Sequence, residues 1–331
     1  MRKILILSIT ALILVSCATK RSYFEPEVIA GDIKFDGKIS DDIINTSAFG
    51  ATLENGEVLD MDGLIQDLKL EKSEKFLGKF DDMIAISKTN GDLEIKQSDQ
   101  SIFSHNFQAE IISVNIDNSD LAALSSDNKI YLINLETGDI LLKHDCGASF
   151  AQDSRTAAPV FLGSLVIFPS LDGKVFMADR ASGNLIRSIT ISDEPFFNNV
   201  IFLDVYQDKL FAATNTKILM FSPTQTKYFD EDIKQIILYA SRIYALLKNG
   251  QILILDDDLN QISKQEFEYA IFSNIIPKGE KLYIFEKTGY MIKTDLDLQN
   301  PEIYEMSGEI DEKSFAGKKA FYQGNLVINL K

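Results

Sequence analysis

Two histidines and two cysteines are all that this 331-residue chain offers to transition-metal or thiol chemistry. His105 and His144 lie in different parts of the chain, and neither belongs to a set of ligands at zinc-site spacing. The run Asp256-Asp257-Asp258 lacks the alternating ligands, central glycine and terminal glutamate of a calcium loop, so it reads as a solvated turn. There is no phosphate-binding glycine loop and no G-x-S-x-G elbow. Carboxylates are plentiful, but their spacing singles out no acid–base pair. These residues point to a chain that is not an enzyme and holds no metal or cofactor.

The chemistry that remains is at the start. Arg2-Lys3 precedes a 12-residue apolar stretch, Ile4 to Val15, which is too short to span a bilayer and has the form of a signal-peptide core. It ends at Leu14-Val15-Ser16-Cys17, which resembles the lipobox of bacterial lipoproteins. In that family the signal is cut before the cysteine and the thiol is acylated, so the resemblance implies lipidation of Cys17, palmitate included. An ordinary secretory signal with a chance cysteine is the alternative. Ala18 implies, by the enteric sorting rule, an anchor in the outer membrane with the protein facing the periplasm. The expected organisation is a signal peptide over 1–16, a lipidated tether over 17–30 and a folded domain over 31–331. Once Cys17 is acylated, Cys146 has no intramolecular partner. It reads as an inert packed thiol, with a mixed disulfide as the alternative.

The formal net charge is −16, and loss of Arg2 and Lys3 with the signal takes it to −18. Such a chain repels nucleic acid and anionic membrane surfaces, so its partner should be neutral or locally basic. With 45% hydrophobic residues and no Pro- or Ser-rich linker, one closed β domain is the expectation.

A repeated hairpin must position everything else. In the clearest copy, Leu165 to Phe168 leads through Leu171-Asp172-Gly173 into Lys174 to Asp179. Aligned copies place turn anchors at Gly56, Gly91, Asn128, Gly173, Thr216, Gly250, Gly289 and Gly324, spaced by 35, 37, 45, 43, 34, 39 and 35 residues. Gly and Asn suit these tight turns because they tolerate positive φ. A second turn follows in several copies, as at Glu136-Thr137-Gly138-Asp139 and Ala181-Ser182-Gly183-Asn184, giving four strands per repeat. An all-β repeat of this length predicts an eight-bladed β-propeller with four-stranded blades. The last repeat lacks an outer strand, and Gly31 to Asp36 looks like a spare one, so an N-terminal strand is expected to close the ring against Asn325 to Leu330. Seven blades is the alternative. Residues 232–248 also fit helical spacing, but their phase in the repeat and β-branched content favour two strands with a turn at Ser241-Arg242.

Asp172 to Gly183 resembles the PQQ-type propeller repeat, and Asn128 to Gly138 is a second good copy. The chain has no tryptophan, and the quinone enzymes of that group stack their cofactor on tryptophan, so no quinone is implied. An acylated N-terminus joined to an eight-bladed PQQ-like propeller resembles the BamB family of outer-membrane assembly lipoproteins. That resemblance implies a non-enzymatic scaffold. It would dock the POTRA domains of a BamA-like barrel protein and meet unfolded outer-membrane proteins, with no nucleic acid involved. Other envelope propellers, binding a glycan or another envelope protein, share the same repeat and anchor and form the alternative. A lyase or glycan hydrolase built in the channel is a third reading.

The two longest anchor intervals are adjacent, and their extra residues fall near 145–158 and 191–200, on the same face of a propeller. Insertion drift would also explain them, but loops of this kind carry function. The resemblance implies partner contacts in both. In the first, Phe150, Asp153 and Arg155 lie in Ser149 to Pro159. In the second, Asp193 and Glu194 precede Phe196-Phe197, which are expected to begin the next inner strand and pack in the core.

Overall fold

The computed structural model describes residues 23–150 and 153–330. Among these residues there is no helix, and the strands form eight sheets arranged as an eight-bladed β-propeller. Blades 1 to 7 span 43–69, 74–106, 111–145, 160–190, 202–230, 233–266 and 272–306, and blade 8 begins at 314. Each blade is an antiparallel meander whose first strand is innermost, where neighbouring blades meet around the channel. Residues 232–248 form two strands, Ile233–Tyr239 and Arg242–Leu247, joined by a tight turn in which Ala240 and Ser241 both have positive φ.

The core follows from the two-residue period of a strand. In blade 3, Leu121, Ala123, Tyr131 and Ile133 face blade 2, whereas Ala122, Leu124, Ile130 and Leu132 face blade 4. Eight such apolar clusters fill the eight wedges between blades. Middle strands are therefore apolar on both faces, and outer strands alternate towards solvent, as in Thr226–Asp230. Cys146 lies in the wedge between blades 3 and 4, where burial, then Asp172 and Asp145, push its thiol up to about 12.

The anchors also have a packing role. After each outer strand the chain turns over the anchor, and its first amide donates to the anchor's carbonyl. Leu70 donates to Gly56, Phe107 to Gly91, Cys146 to Asn128, Ile191 to Gly173 and Phe267 to Gly250, at 2.8–3.0 Å. A Cβ on Gly250 would lie 2.3 Å from the Phe267 carbonyl oxygen, so close approach demands glycine there as well as positive φ.

An N-terminal strand closes the ring as expected, but it is not the segment the sequence pointed to. The segment Gly31 to Asp36 is not the closing strand. Strand β1 (Gly31–Ile33) runs parallel to the outer strand of blade 7, Glu302–Met306, as a fifth strand. Strand β2 (Gly37–Lys38) supplies the outer strand of blade 8 by pairing with Val327 and Leu326. Asp36 helps: its amide donates to Val327 O at 3.0 Å, and its carboxylate accepts from the Asn329 amide at 2.9 Å. Upstream, Phe24 is only 6% exposed and packs edge-on against Phe267 and Tyr290. The part of the expected tether that is described therefore holds the rim between blades 6 and 7.

The face opposite the anchors is held by side chains that cross between blades. Arg180 of blade 4 grips Asp117 and Asp120 of blade 3, and Lys209 of blade 5 pairs with Asp257 and Asp258 of blade 6 at 2.8 and 2.9 Å. Arg242 of blade 6 pairs with Asp297 of blade 7, and Lys318 of blade 8 with Asp62 of blade 1 at 2.9 Å. Asp257 and Asp258 thus serve as an inter-blade clip, while Asp256 caps their turn by accepting from the Asp258 and Asn260 amides.

Candidate partner-binding site

In a meander the anchor turns and the blade-to-blade connections emerge on the same face. The described residues of the two long connections, 146–150 with 153–159 and 191–201, run there side by side. They are knitted to each other. Asn199 accepts from the Asp153 amide at 2.8 Å and donates to the Arg155 carbonyl. Asn198 is buried and donates to the Ser192 carbonyl at 2.9 Å, which folds the second loop back on itself. Ser149 donates to Leu171 O at 2.7 Å, fastening the first loop to the anchor turn of blade 4.

Arg155 is the hub. It donates from Nε and Nη2 to the Asp153 carboxylate at 2.9 and 2.7 Å, and also to Asn215 Oδ1 and to the Lys234 carbonyl. The last bond has a structural reason. The inner strand of blade 6 carries a bulge at Lys234, between Ile233 and Gln235, which leaves a backbone carbonyl outside the ladder. Burial opposes ionisation of Asp153, but the hydrogen bonds and charge of Arg155 outweigh it and hold the carboxyl at about 2. Asp153 and Arg155 therefore form a staple from the first loop to blades 5 and 6.

The groups that face outward are different. Phe150 is 65% exposed, and Asp193 and Glu194 are exposed on the second loop. Phe196 and Phe197, expected in the core, are 58% and 54% exposed. The inner strand of blade 5 starts only at Phe202, and Val200 takes the buried place under the loop. Phe197 has φ of 53°, and its carbonyl accepts from Asn215 at 3.0 Å, which fixes this turn. Sequence reasoning missed Asn199 and Asn215, whose partners lie 18 to 62 residues away. A cleft of about 200 Å³ opens beside the pair, lined by Glu194, Phe196, Phe197, Asn198, Asn215, Thr216 and Lys248. Cys17, the expected lipidation site, lies outside the described residues.

The two histidines sit among rings, His105 at 4.6 Å from Phe107 and His144 at 5.1 Å from Phe176, centroid to centroid. Among the described residues no three His, Cys, Asp or Glu are grouped so as to hold a metal ion. What the loop face offers is a surface of exposed aromatic and acidic side chains on loops cross-linked by hydrogen bonds.

No family model matches the chain. The chain is similar to the plasminogen-binding protein PgbB of Helicobacter pylori, with 27% identity over 99% of this chain and 70% of that protein, in both strain J99 and strain 26695. Its fold matches solved propellers. BamB from Moraxella catarrhalis superposes with a TM-score of 0.69 at 12% identity, covering 88% of this chain and 98% of that one. The computationally designed Ika8 protein gives 0.67 at 13% identity, covering 90% and 99%. The C-terminal WD40 domain of Sif2 gives 0.64 at 12% identity, covering 88% and 96%. The chain is thus a BamB-like propeller in its fold.

Proposed function

We propose that this protein is a non-enzymatic scaffold lipoprotein of the outer-membrane β-barrel assembly machinery. In this reading Cys17 carries the lipid that holds the propeller at the periplasmic side of the outer membrane. The loop face docks a POTRA domain of a BamA-like barrel protein and presents unfolded outer-membrane proteins to it. One observation carries the reading: two adjacent blade connections are stapled together by Asp153, Arg155, Asn199 and Asn215 and project Phe150, Asp193, Glu194, Phe196 and Phe197. Exposed aromatics on a rigid frame lose little entropy on binding and make good interface anchors. The test is affinity purification of the tagged, lipidated chain from detergent-solubilised envelopes. A POTRA-containing barrel protein should co-purify, and Phe150→Ser with Phe196→Ser should remove it without lowering the melting temperature. Unchanged co-purification by that variant rejects the site, and absence of any barrel protein rejects the assembly role.

A second reading rests on the PgbB similarity, which spans nearly the whole chain at higher identity than any solved propeller named above. There the same propeller is an envelope-anchored receptor for another protein, plasminogen being the partner that the relative's name supplies. Immobilised plasminogen retaining the purified chain, with no barrel protein in the envelope pulldown, would select it.

A further inference from the structure

The loop face carries a group of lysines that the overall −16 does not foretell. Inner strands of five blades carry a bulge at the same level, and the bulged residues are Ile44, Leu77, Ile112, Lys234 and Ser273. The bulged residues of blades 1 to 3 are aliphatic, with Leu77 buried in the wedge towards blade 3 and Ile112 packed against the wedge towards blade 4, whereas those of blades 6 and 7 are a lysine and a serine. Around Lys234 stand Lys248 and Lys287, which occupy the same turn position in blades 6 and 7, two residues before the anchors Gly250 and Gly289. Lys248 is 3.5 Å from Asp232, both well exposed. Among the described residues neither Lys234 nor Lys287 has a carboxylate within ion-pair distance, and Arg155, already committed to Asp153, adds its own field.

Lys248 also lines the cleft beside Phe196 and Phe197. At about 200 Å³ this cleft is smaller than the roughly 300–1,000 Å³ of small-molecule sites, a size for one side chain rather than a free metabolite. Its floor includes Asn198, which is 5% exposed and whose Oδ1 has no hydrogen-bond partner among the described residues. Its Nδ2 donates to Ser192 O and Asp172 O, which holds the residue under the second loop. Glu194 is the one acid lining the cleft.

We propose that the loop face over blades 5 to 7 binds an acidic peptide segment, its carboxylates on Lys234, Lys248 and Lys287 and an aromatic or aliphatic side chain in the cleft of Phe196 and Phe197. The choice of a peptide follows from combining cations with a slot of side-chain size, walled by two exposed phenylalanines and by polar groups, within one site. Electrostatics agree with the geometry: burial, then the nearby Arg155 and Lys287, disfavour the charged form of Lys234, and Asp153 offsets this only in part. An incoming carboxylate would relieve that repulsion. The proposal deepens the scaffold reading by naming the partner's chemistry, but it does not depend on which protein carries the segment.

The test uses the full chain in detergent and a fluorescein-labelled decapeptide of alternating glutamate and phenylalanine, read by anisotropy. Binding should weaken at least about tenfold in Lys248→Glu with Lys287→Glu, and similarly in Phe196→Ser with Phe197→Ser. It should also weaken on raising salt from about 50 to about 300 mM, as screening shortens the reach of the lysines. All four substituted side chains are exposed, and unchanged melting temperatures identify folded variants. Equal binding of a lysine–phenylalanine peptide, or full affinity in the lysine variant, overturns the proposal. So does lysine-dependent binding of phosphatidylglycerol vesicles with no binding of the peptide. The peptide assay needs no barrel protein, so it holds or fails separately from the envelope pulldown.

Discussion

At the scale of single residues, the loop face separates side chains that hold the loops from side chains that face outward. Arg155 and Asp153 read from the sequence as partner contacts; in the structure they also hold the loops, and the outward groups are aromatic and acidic. The reason is distance along the chain. Arg155 meets Asn215 and Lys234, 60 and 79 residues on, and nothing local announces those meetings. Phe196-Phe197 misled for the opposite reason: an apolar pair beside a strand reads as core, and only the positive φ at Phe197 turns it out. The staple makes a pH prediction. With the Asp153 carboxyl held at about 2 in the fold and about 3.9 in an unfolded chain, the carboxylate contributes stability that is complete above about pH 4. That stability is lost as pH falls through about 2. The side chain is 19% exposed, and the difference corresponds to about 2 kcal/mol. Asp153→Asn should therefore unfold more easily in urea at pH 7, and the gap from the unmodified chain should shrink towards pH 2. A gap that stays constant with pH would show that the carboxylate's charge is not what stabilises the loop.

At the scale of elements, the hairpin anchors were legible because turn chemistry is local: a positive φ wants Gly or Asn wherever it occurs. Their second duty, accepting the chain that passes overhead, was not legible, because it depends on a strand some fifteen residues later. Gly173 shows both. Its φ is +80°, and an added Cβ would stand 2.3 Å from Asn198 Nδ2 and 2.4 Å from the Ser192 carbonyl oxygen, in the loop that carries Phe196 and Phe197. Gly138 has nearly the same φ, +76°, with nothing within 4 Å. Gly138→Ala should cost only the strain of a left-handed residue, about 1 kcal/mol. Gly173→Ala should cost about 2–3 kcal/mol and make 191–201 a new site of limited proteolysis, because the loop must lift. Equal losses from the two substitutions would mean that backbone conformation alone, and not the overlying loop, keeps glycine at the anchor.

At the scale of the whole molecule, eight anchors at near-even spacing were enough to count the blades, because each repeat is one meander that cannot bury both faces without its neighbours. How the ring is closed was only half legible. Two strands of three and two residues, β1 and β2, are too short to carry a pattern, and the strand-like look of Gly31–Asp36 ahead of the first repeat drew the closure there. In the structure β1 reinforces blade 7 and β2 alone completes blade 8, with Phe24 fastening the entry. Losing β2 would expose the edge of Leu326–Asn329 and loosen the wedges on both sides of blade 8, which hold Ile328 and Val327 respectively. Chains begun at residues 23, 35 and 40 separate these contributions. Starting at 35 removes Phe24 and β1, and the melting temperature should fall by a few degrees with unfolding still in one transition. Starting at 40 removes β2 as well, and should bring a larger fall, a second and earlier transition, and self-association through the bared edge. If the 35 and 40 chains melt alike, the ring is held by its inter-blade wedges and clips, and β2 adds nothing to closure.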